Sequence, residues 1–542
     1  MTVSMATISP ITIKPRFIGG SADSGDTMHI PSAALPTVSE LIAGWETVEM
    51  GSGLAPTVPP SSVTLSAAEW AETQWGGVEL GDARLNRWAV LAGRAMAAHP
   101  AQSLPQQMGD RAALRAAYWL LNHPEVTLEQ LARPHWEQTR RAAGEHAVVL
   151  FVQDTTELDY THHPTKKGLG PIGDGNGQGL LLHSTLGVVP GVVPQILGAA
   201  DQQVVLRRPA DQPRSRHTPS PEGRVWAKAA EAVGKPPEGV LWVHVGDRGS
   251  DDFRFMHTCR EADKHFLIRV ARNRLLEWDQ EEIDPEMRKL VDFTRTLPVQ
   301  HRYTLEVPTQ HERKARTAQM CLAWAQVTIQ PPRQGPPELR DQPPITAWVI
   351  RVWEVNAPPD AEAIEWVLIT SVPTETVADA QERVQWYTCR WLTEDYHQCL
   401  KTGCSIEKRQ FDRGEDIQRL LGFCGPIAVR LLQLRNVARV EPEAPAMMHI
   451  APLTIEVLAQ RLEWTVEESV TMGDFWRGVA QLGGHLGRRG DGPPGWKTLW
   501  RGWQYLNELV EGARLYAAAL ANSRTQGGHG LKLNAILNDR FH

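Results

Sequence analysis

Four side chains near residue 390 could together bind a phosphate and a metal ion. Tyr387, Arg390, Glu394 and Lys401 carry a phenol, a guanidinium, a carboxylate and an ammonium group. On one continuous helix the last three would lie roughly 60°, 20° and 40° to one side of Tyr387, so all four would share a face. A kink near Trp391 would leave only Glu394 and Lys401, about two turns apart, in line.

Two aspartates follow apolar runs that predict buried strands. Asp154 comes directly after residues 146–153, and Asp247 comes just after residues 239–245. A single aspartate after a strand is more commonly a turn residue or a helix cap. Two of them in neighbouring strands, together with Glu394, indicate a ligand site, because α/β sheets place such sites at the carboxyl ends of strands.

Three converging carboxylates repel one another unless a divalent cation neutralises them. Carboxylate oxygens without cysteine or histidine favour Mg²⁺ or Mn²⁺ over zinc. Two such ions, held by Asp154, Asp247 and Glu394, could activate a water or hydroxyl and stabilise the leaving oxygen of a phosphodiester. Arg390 and Lys401 would then bind the flanking phosphates.

The elements around these residues follow the order of an RNase H-like sheet. Strands are predicted at 146–153, 180–189 and 193–206, a helix at 221–233, a strand at 239–245, a helix from the cap Asp251 to 261, and a strand at 265–270. Simple doubly wound folds alternate strand and helix from the start and fit less well. Three further strand-like runs between Pro-rich turns, within 272–362, predict a β insertion.

The remaining chain divides into a leader and two helical regions. We predict a mostly disordered leader at 1–65, a helical domain at 66–145, the core at 146–271 and 363–438, and a helical domain with a flexible tail at 439–542. In the last domain, apolar side chains recur with helical spacing, which predicts either a dimer contact or a core face. They are Trp496, Leu499, Trp500, Trp503 and Leu506.

Composition is that of a soluble globular protein. Of 542 residues, 42% are hydrophobic and 22% charged, and the net charge of −7 gives no global basic signal for nucleic acid, although a local cluster would suffice. The six cysteines lack metal-site spacing, so neither zinc nor a disulfide framework is expected. Without an apolar run long enough to span a bilayer or a signal peptide, we expect a cytoplasmic protein.

The chain resembles bacterial DDE transposases of the insertion-sequence-four family, and among them the transposon-five type. The matching motif is Tyr-x2-Arg-x3-Glu-x6-Lys, formed by Tyr387, Arg390, Glu394 and Lys401 with every interval kept. The motifs Asp154-Thr155-Thr156 and Asp247-Arg248 match as well. The resemblance extends from about residue 67 through the region of Trp496.

This resemblance implies a fold and an activity. The fold would be an RNase H-like mixed-sheet catalytic core with a β insertion, between an N-terminal all-α domain that reads transposon ends and a C-terminal all-α domain that dimerises. Asp154, Asp247 and Glu394 would bind two Mg²⁺ or Mn²⁺ ions per site. Water would nick the end, the 3′-OH would form a hairpin, water would open it, and the 3′-OH would attack target DNA at the bacterial nucleoid.

The resemblance also implies DNA contacts. Trp366 would stack against a base extruded by the hairpin, although a core tryptophan is the alternative. Arg269 and His397 would contact DNA, while Gln398 replaces a lysine of the family. Arg84 and Arg87 correspond to the end-recognition helix.

Two other functions remain alternatives. An inactive DNA-binding inhibitor of transposition would be expected to have a damaged triad or motif, and both are intact. A nuclease of the same fold without strand transfer would be expected to lack the equivalent of Trp366 or the C-terminal helices, and both are present.

Overall fold

The computed structural model describes residues 65–208, 221–278, 288–307, 316–334, 336–359, 361–440, 442–464, 470–488 and 494–525. The predicted leader at 1–65 lies outside the described residues except for Leu65, and so does the tail after 525. Contacts divide the chain into two units. Within the described residues the first comprises 78–80 and 121–426, and the second comprises 65–77, 81–120 and 427–525.

One mixed sheet of ten strands organises the first unit. Its order is β2-β3-β1-β5-β6-β10-β9-β8-β7, with β4 also paired to β3. The strands are β1 (Val148–Asp159), β2 (Gly170–Ile172), β3 (Gly177–Val189), β4 (Gln195–Val205), β5 (Leu241–Gly246), β6 (His265–Arg269), β7 (His301–Val307), β8 (Arg316–Ile329), β9 (Ile345–Val355) and β10 (Glu365–Thr370).

Strand direction within this sheet confirms the predicted RNase H-like core. β1 pairs antiparallel with β3 and parallel with β5, and β5 pairs parallel with β6. The central strands are buried on both faces, as apolar runs such as that of β5 require. The α/β fold class is confirmed, with helical regions before and after the core in the chain.

The three strands of the predicted insertion extend the core sheet. β10 pairs with β6 on one side and with β9 on the other, and β8 and β7 follow outward. The register aligns Trp366 with Val352 and Glu365 with Trp353, so these two pairs project from opposite faces. The insertion therefore holds the strand that carries Trp366.

Helices of the first unit pack on this sheet or lead into the candidate site. They are α5 (Leu128–Ala143), α6 (Pro221–Val233), α7 (Phe253–Glu261), α8 (Leu290–Thr296), α9 (Pro337–Arg340), α10 (Val377–Thr388), α11 (Trp391–Gln398) and α12 (Gly414–Val440), which continues into the second unit. α5 lies within the predicted N-terminal domain, yet it packs on β4. There, His135 accepts the Ala199 N–H at 3.1 Å, and Arg140 donates to the Ala200 carbonyl.

The N-cap of α7 differs from the prediction. Asp252, rather than Asp251, accepts the Arg254 N–H at 2.8 Å and begins the helix. Asp251 is buried and instead accepts the N–H groups of Ala271 and Arg272 and an ion pair from Arg274 at 2.7 Å. Either aspartate could cap a helix by residue type, and the ion pair selects between them.

Helices of the second unit come from both ends of the chain. They are α1 (Ala67–Trp75), α2 (Ala83–Ala98), α3 (Leu104–Met108), α4 (Arg111–Leu121), α13 (Pro452–Arg461), α14 (Met472–Leu482) and α15 (Trp496–Thr525). Ser66 and Thr471 begin α1 and α14 with reciprocal capping boxes. Gln504 of α15 donates to the Ala98 carbonyl of α2.

The apolar stripe of α15 is a core face. All five residues of the stripe are buried, and the Trp503 ring lies 5.4 Å from Trp476 and 6.2 Å from Phe475. The expected dimer contact through this stripe is therefore wrong, because the stripe already packs against α14. Among the side chains of α15 whose burial is described, the exposed large apolar ones are Tyr505, Leu515 and Tyr516.

The six cysteines are all buried and free of disulfides, as their spacing predicted. Across the described ranges, no helix has the length and apolar character needed to cross a bilayer.

Candidate active site

Asp154 lies inside β1 rather than after it. The parallel pairing of β1 with β5 stops at Val152 and Val245, but β1 continues to Asp159 through its pairing with β3. Asp154 therefore stands where β1 parts from its parallel neighbour, at the carboxyl end of β5. Asp154 lies at the carboxyl end of the parallel strand pair, as predicted. The prediction that β1 ends before Asp154 is wrong.

Asp247 follows β5 directly and begins a short 3₁₀ turn, Arg248–Ser250. Its Oδ1 accepts the Gly249 N–H at 2.7 Å, and its carbonyl accepts the Ser250 hydroxyl at 2.6 Å. A Cβ at Gly246 would collide with the Ser250 side chain, so glycine is required where the chain enters this turn. The turn fixes the Asp247 carboxylate at the end of β5.

The stretch with the remaining motif residues is not one continuous helix. α10 ends at Thr388, Cys389 and Arg390 lie between helices, and α11 begins at Trp391. The Arg390 N–H donates to the Tyr387 carbonyl, three residues back, instead of four. A π-helical turn, Cys399–Gly403, then follows α11. The kinked alternative is therefore the one observed.

Arg390 joins two of the predicted acids. Its Nη1 donates to Asp154 Oδ2 at 2.9 Å, and its Nη2 donates to Glu394 Oε1 at 2.8 Å. The other Asp154 oxygen accepts the Thr155 N–H at 2.7 Å. The guanidinium also lies over the Trp391 ring, 4.9 Å from its centroid. Asp154 thus contacts a buried cation that lies 236 positions away in the sequence.

The negative charge of Asp247 acts on both Asp154 and Glu394. Burial raises the pKa of Asp154 to about 7, and repulsion from Asp247 and Glu394 adds to the rise, whereas Arg390 and the Thr155 N–H oppose it. Burial also raises the pKa of Glu394, with Asp247 among the contributing charges. Asp247 therefore lies close enough to add its negative charge to the surroundings of both other acids.

A hard divalent cation fits the chemistry of this donor set. The three acids provide only oxygen ligands, and a divalent cation would offset the negative charge that Asp247 and Glu394 add at Asp154. Among the described residues, no group of three or more histidine, cysteine, aspartate or glutamate side chains stands ready to hold a metal ion. In the structure, two of the acids contact Arg390 instead.

The other motif residues lie around the acids with different partners. Tyr387 is buried, and burial raises the pKa of its phenol. Its ring meets Trp366 edge to face, with the centroids 5.4 Å apart. Lys401 lies in the π-helical turn and pairs with Glu407 at 3.4 Å.

Arg269 and His397, both predicted to contact DNA, are buried. Arg269 Nη2 donates to the Glu365 carbonyl at 3.3 Å, and burial lowers the pKa of its guanidinium. His397 projects inward from α11, and burial lowers its pKa to about 3. Its Nε2 has no hydrogen-bond partner among the described residues. The DNA contact predicted for His397 stays a prediction.

Two features of the site were missed from the sequence. Arg248 is only partly buried and lies close enough to Arg269 to lower the pKa of that guanidinium. The Asp-Arg pair at 247–248 was the available signal. Behind Asp154, the buried Gln153 hydrogen-bonds His183 and His244. No motif marks that network, since its members are dispersed along three strands.

The second unit presents a set of exposed arginines on α2 and α4. They are Arg84, Arg87, Arg94, Arg111 and Arg115. Arg84 pairs with the N-cap Asp82 at 2.8 Å and lies 5.8 Å from the Trp119 ring centroid. An exposed basic surface of this kind is what phosphate contacts require.

Comparison with known families matches three segments of the chain. Residues 67–126 match the family described as Transposase DNA-binding, residues 242–428 match Transposase DDE domain, and residues 427–524 match Transposase Tn5 dimerisation domain. The DDE match contains Asp247 and Glu394, whereas β1 with Asp154 precedes it. The three matches occur in one chain and support a DNA transposase similar to the Tn5 type, with DNA-binding and dimer-forming regions beside its DDE domain.

Proposed function

We propose that this chain is a cut-and-paste transposase of the insertion-sequence-four family. It binds inverted-repeat ends, excises the element through nicking and hairpin steps, and joins the 3′-OH ends to target DNA in the bacterial cytoplasm. The observation that carries this proposal is the bridge from Arg390 to Asp154 and Glu394, with Asp247 acting on both acids. It supports a common site for the three acids.

Asp154, Asp247 and Glu394 would hold two Mg²⁺ or Mn²⁺ ions per site. When bound, these ions supply the activation of water or a 3′-OH and neutralise the leaving oxygen. Thr155 holds one oxygen of Asp154 through its N–H, and the turn after β5 holds one oxygen of Asp247. These backbone contacts orient the remaining lone pairs before DNA arrives.

The cations around the acids would position the DNA backbone. Arg390 and Lys401 would bind the phosphates on either side of the reacting bond, and Tyr387 would donate a hydrogen bond to one of them. Trp366 would stack on the base displaced by the hairpin. Arg269 and Arg248 would strengthen the positive field at the carboxyl ends of β5 and β6.

The second unit would supply end recognition and pairing of two chains. Arg84 and Arg87 are exposed on α2, within the Transposase DNA-binding match. Tyr505, Leu515 and Tyr516 are exposed on α15, within the Tn5 dimerisation match, and would contact the second chain in the synaptic complex.

Alanine substitution of each acid tests the proposal. Asp154→Ala, Asp247→Ala and Glu394→Ala should each abolish Mg²⁺-dependent cleavage of a duplex that ends in the inverted repeat flanking the gene. Binding of that duplex in a gel-shift assay should survive, because the acids do not bind DNA directly. Asp263→Asn, at an exposed turn, is the matched control and should cleave normally. Residual cleavage by the triple alanine variant would show that the site is assigned incorrectly.

A further inference from the structure

Arg390 occupies one oxygen of each of two acids that a metal ion would use. Asp154 Oδ2 and Glu394 Oε1 each accept a guanidinium N–H, and Asp154 Oδ1 accepts the Thr155 N–H. Both oxygens of Asp154 are therefore engaged. A divalent cation that takes Asp154 and Glu394 as ligands competes with the Arg390 guanidinium for the same two carboxylates.

Arg390 is held tightly in this position. Its side chain is only 6% exposed and lies over Trp391, so its contacts with the acids are shielded from water. Tyr387 and the three acids raise the pKa of the guanidinium, although burial opposes its charge. A divalent cation bound to the same carboxylates would repel this guanidinium at short range.

The neighbouring cations do not share this role. Lys401 pairs with Glu407, and Arg269 donates to a backbone carbonyl. Within the described residues, no ion pair other than those of Arg390 reaches Asp154 or Glu394. The positive charge at the acids therefore depends on one side chain that sits at the break between α10 and α11.

We propose that Arg390 is an internal counter-ion that keeps the metal site closed in the DNA-free chain and leaves the acids when a DNA phosphate binds it. This inference rests on the proposed function and adds an order of assembly to it. A phosphate can replace both carboxylates as a bidentate partner of the guanidinium. Metal and DNA then bind cooperatively, because each favours the conformation in which Arg390 has left Asp154 and Glu394.

Mn²⁺ binding to the full chain without DNA tests this role directly. Free Mn²⁺ is followed by electron paramagnetic resonance for wild type, Arg390→Gln, and the double variant Arg390→Gln with Asp154→Asn. Arg390→Gln should bind Mn²⁺ about tenfold more tightly than wild type or better, since the competing charge is gone. The double variant should lose this gain. Arg254→Gln, which breaks an ion pair with Glu338 away from the acids, should leave the affinity at the wild-type value.

A second measurement uses wild type alone and does not depend on the fold of a variant. Duplex DNA that ends in the inverted repeat flanking the gene should raise the Mn²⁺ affinity of wild type about tenfold or more.

The outcomes distinguish a failure of the counter-ion role of Arg390 from a failure of the metal-binding role of the three acids. If Arg390→Gln binds Mn²⁺ no better than wild type, or DNA leaves the wild-type affinity unchanged, the counter-ion role is wrong while the triad stands. If Asp154→Asn leaves the Mn²⁺ affinity of the Arg390→Gln chain unchanged, the acids are not metal ligands and the proposed function itself fails.

Discussion

The rings of Trp366 and Tyr387 meet edge to face, with their centroids 5.4 Å apart and their planes at 67°. Trp366 is partly exposed on β10, whereas Tyr387 is buried at the end of α10. A buried tyrosine ring thus packs against a tryptophan ring that stays partly exposed.

Trp366→Ala should slow hairpin formation more than first-strand nicking. A stacked base contributes about 1–3 kcal/mol, which corresponds to roughly 5- to 150-fold in the rate of the hairpin step. A denaturing gel that resolves both products measures the two rates. Trp353→Ala is a matched control, because Trp353 projects from the opposite face of the sheet. Equal slowing of both steps in Trp366→Ala would contradict base stacking.

Arg84→Ala and Arg87→Ala should each weaken binding of transposon-end DNA and lower its salt dependence. Each phosphate contact removed reduces the slope of log K against log salt by about 1. Both side chains are exposed, so the melting temperature should not change. Fluorescence anisotropy over a range of salt concentrations measures the slope. Arg133→Ala, an exposed arginine on α5, is the control; a wild-type slope for both Arg84→Ala and Arg87→Ala would contradict the assignment.

Leu515→Asp should prevent two chains from assembling on two DNA ends without unfolding either chain. Leu515 is 64% exposed on α15, so it has little packing to lose, and a charge would oppose an apolar contact between chains. Trp503→Ala should instead destabilise the fold by about 3–5 kcal/mol, since Trp503 is buried against Trp476. Sedimentation and thermal melting distinguish the two effects. Normal assembly of Leu515→Asp would exclude this surface.

His135 should make the first unit less stable as the pH falls. Burial lowers its pKa from 6.5 to about 4, so the unfolded chain takes up the proton first. The stability that neutral His135 provides is complete above about pH 6.5 and is lost as the pH falls toward 4, by roughly 3 kcal/mol at most. His135→Gln keeps an acceptor for the Ala199 N–H and should reduce the drop in melting temperature between pH 7.5 and 5.

The exposed His162 provides the control for this measurement. His162→Gln should retain the wild-type drop in melting temperature. An identical drop in His135→Gln and wild type would show that His135 does not titrate as its burial implies.

Sequence patterns predicted the strands and helices where apolar side chains report burial. β5 and α6 are clear examples, since one is a continuous apolar run and the other has helical bounds that the structure repeats. The second half of β1 escaped prediction because Asp154, Thr155 and Glu157 are polar, yet their backbone groups pair with β3. Backbone pairing depends on the partner strand and leaves no mark in residue type.

Spacing predicted which residues share a face, but not what covers that face. The stripe with Trp503 was correctly apolar, but only the packing of α14 shows that it is internal. The break at Cys389 and Arg390 has neither proline nor glycine to announce it. The break lies where Arg390 contacts Asp154. This contact joins residues 236 positions apart, so the helix propensities of the neighbouring residues could not predict it.

Strand β10 has a neighbour on each side, β6 from the core and β9 from the insertion. A shortened variant without residues 288–362 would therefore leave an interior strand with unpaired backbone groups along one side. Such a strand is a template for aggregation. The inserted segment is thus not a detachable accessory, and any miniaturised form of this protein has to keep β9 or cap the strand it protects.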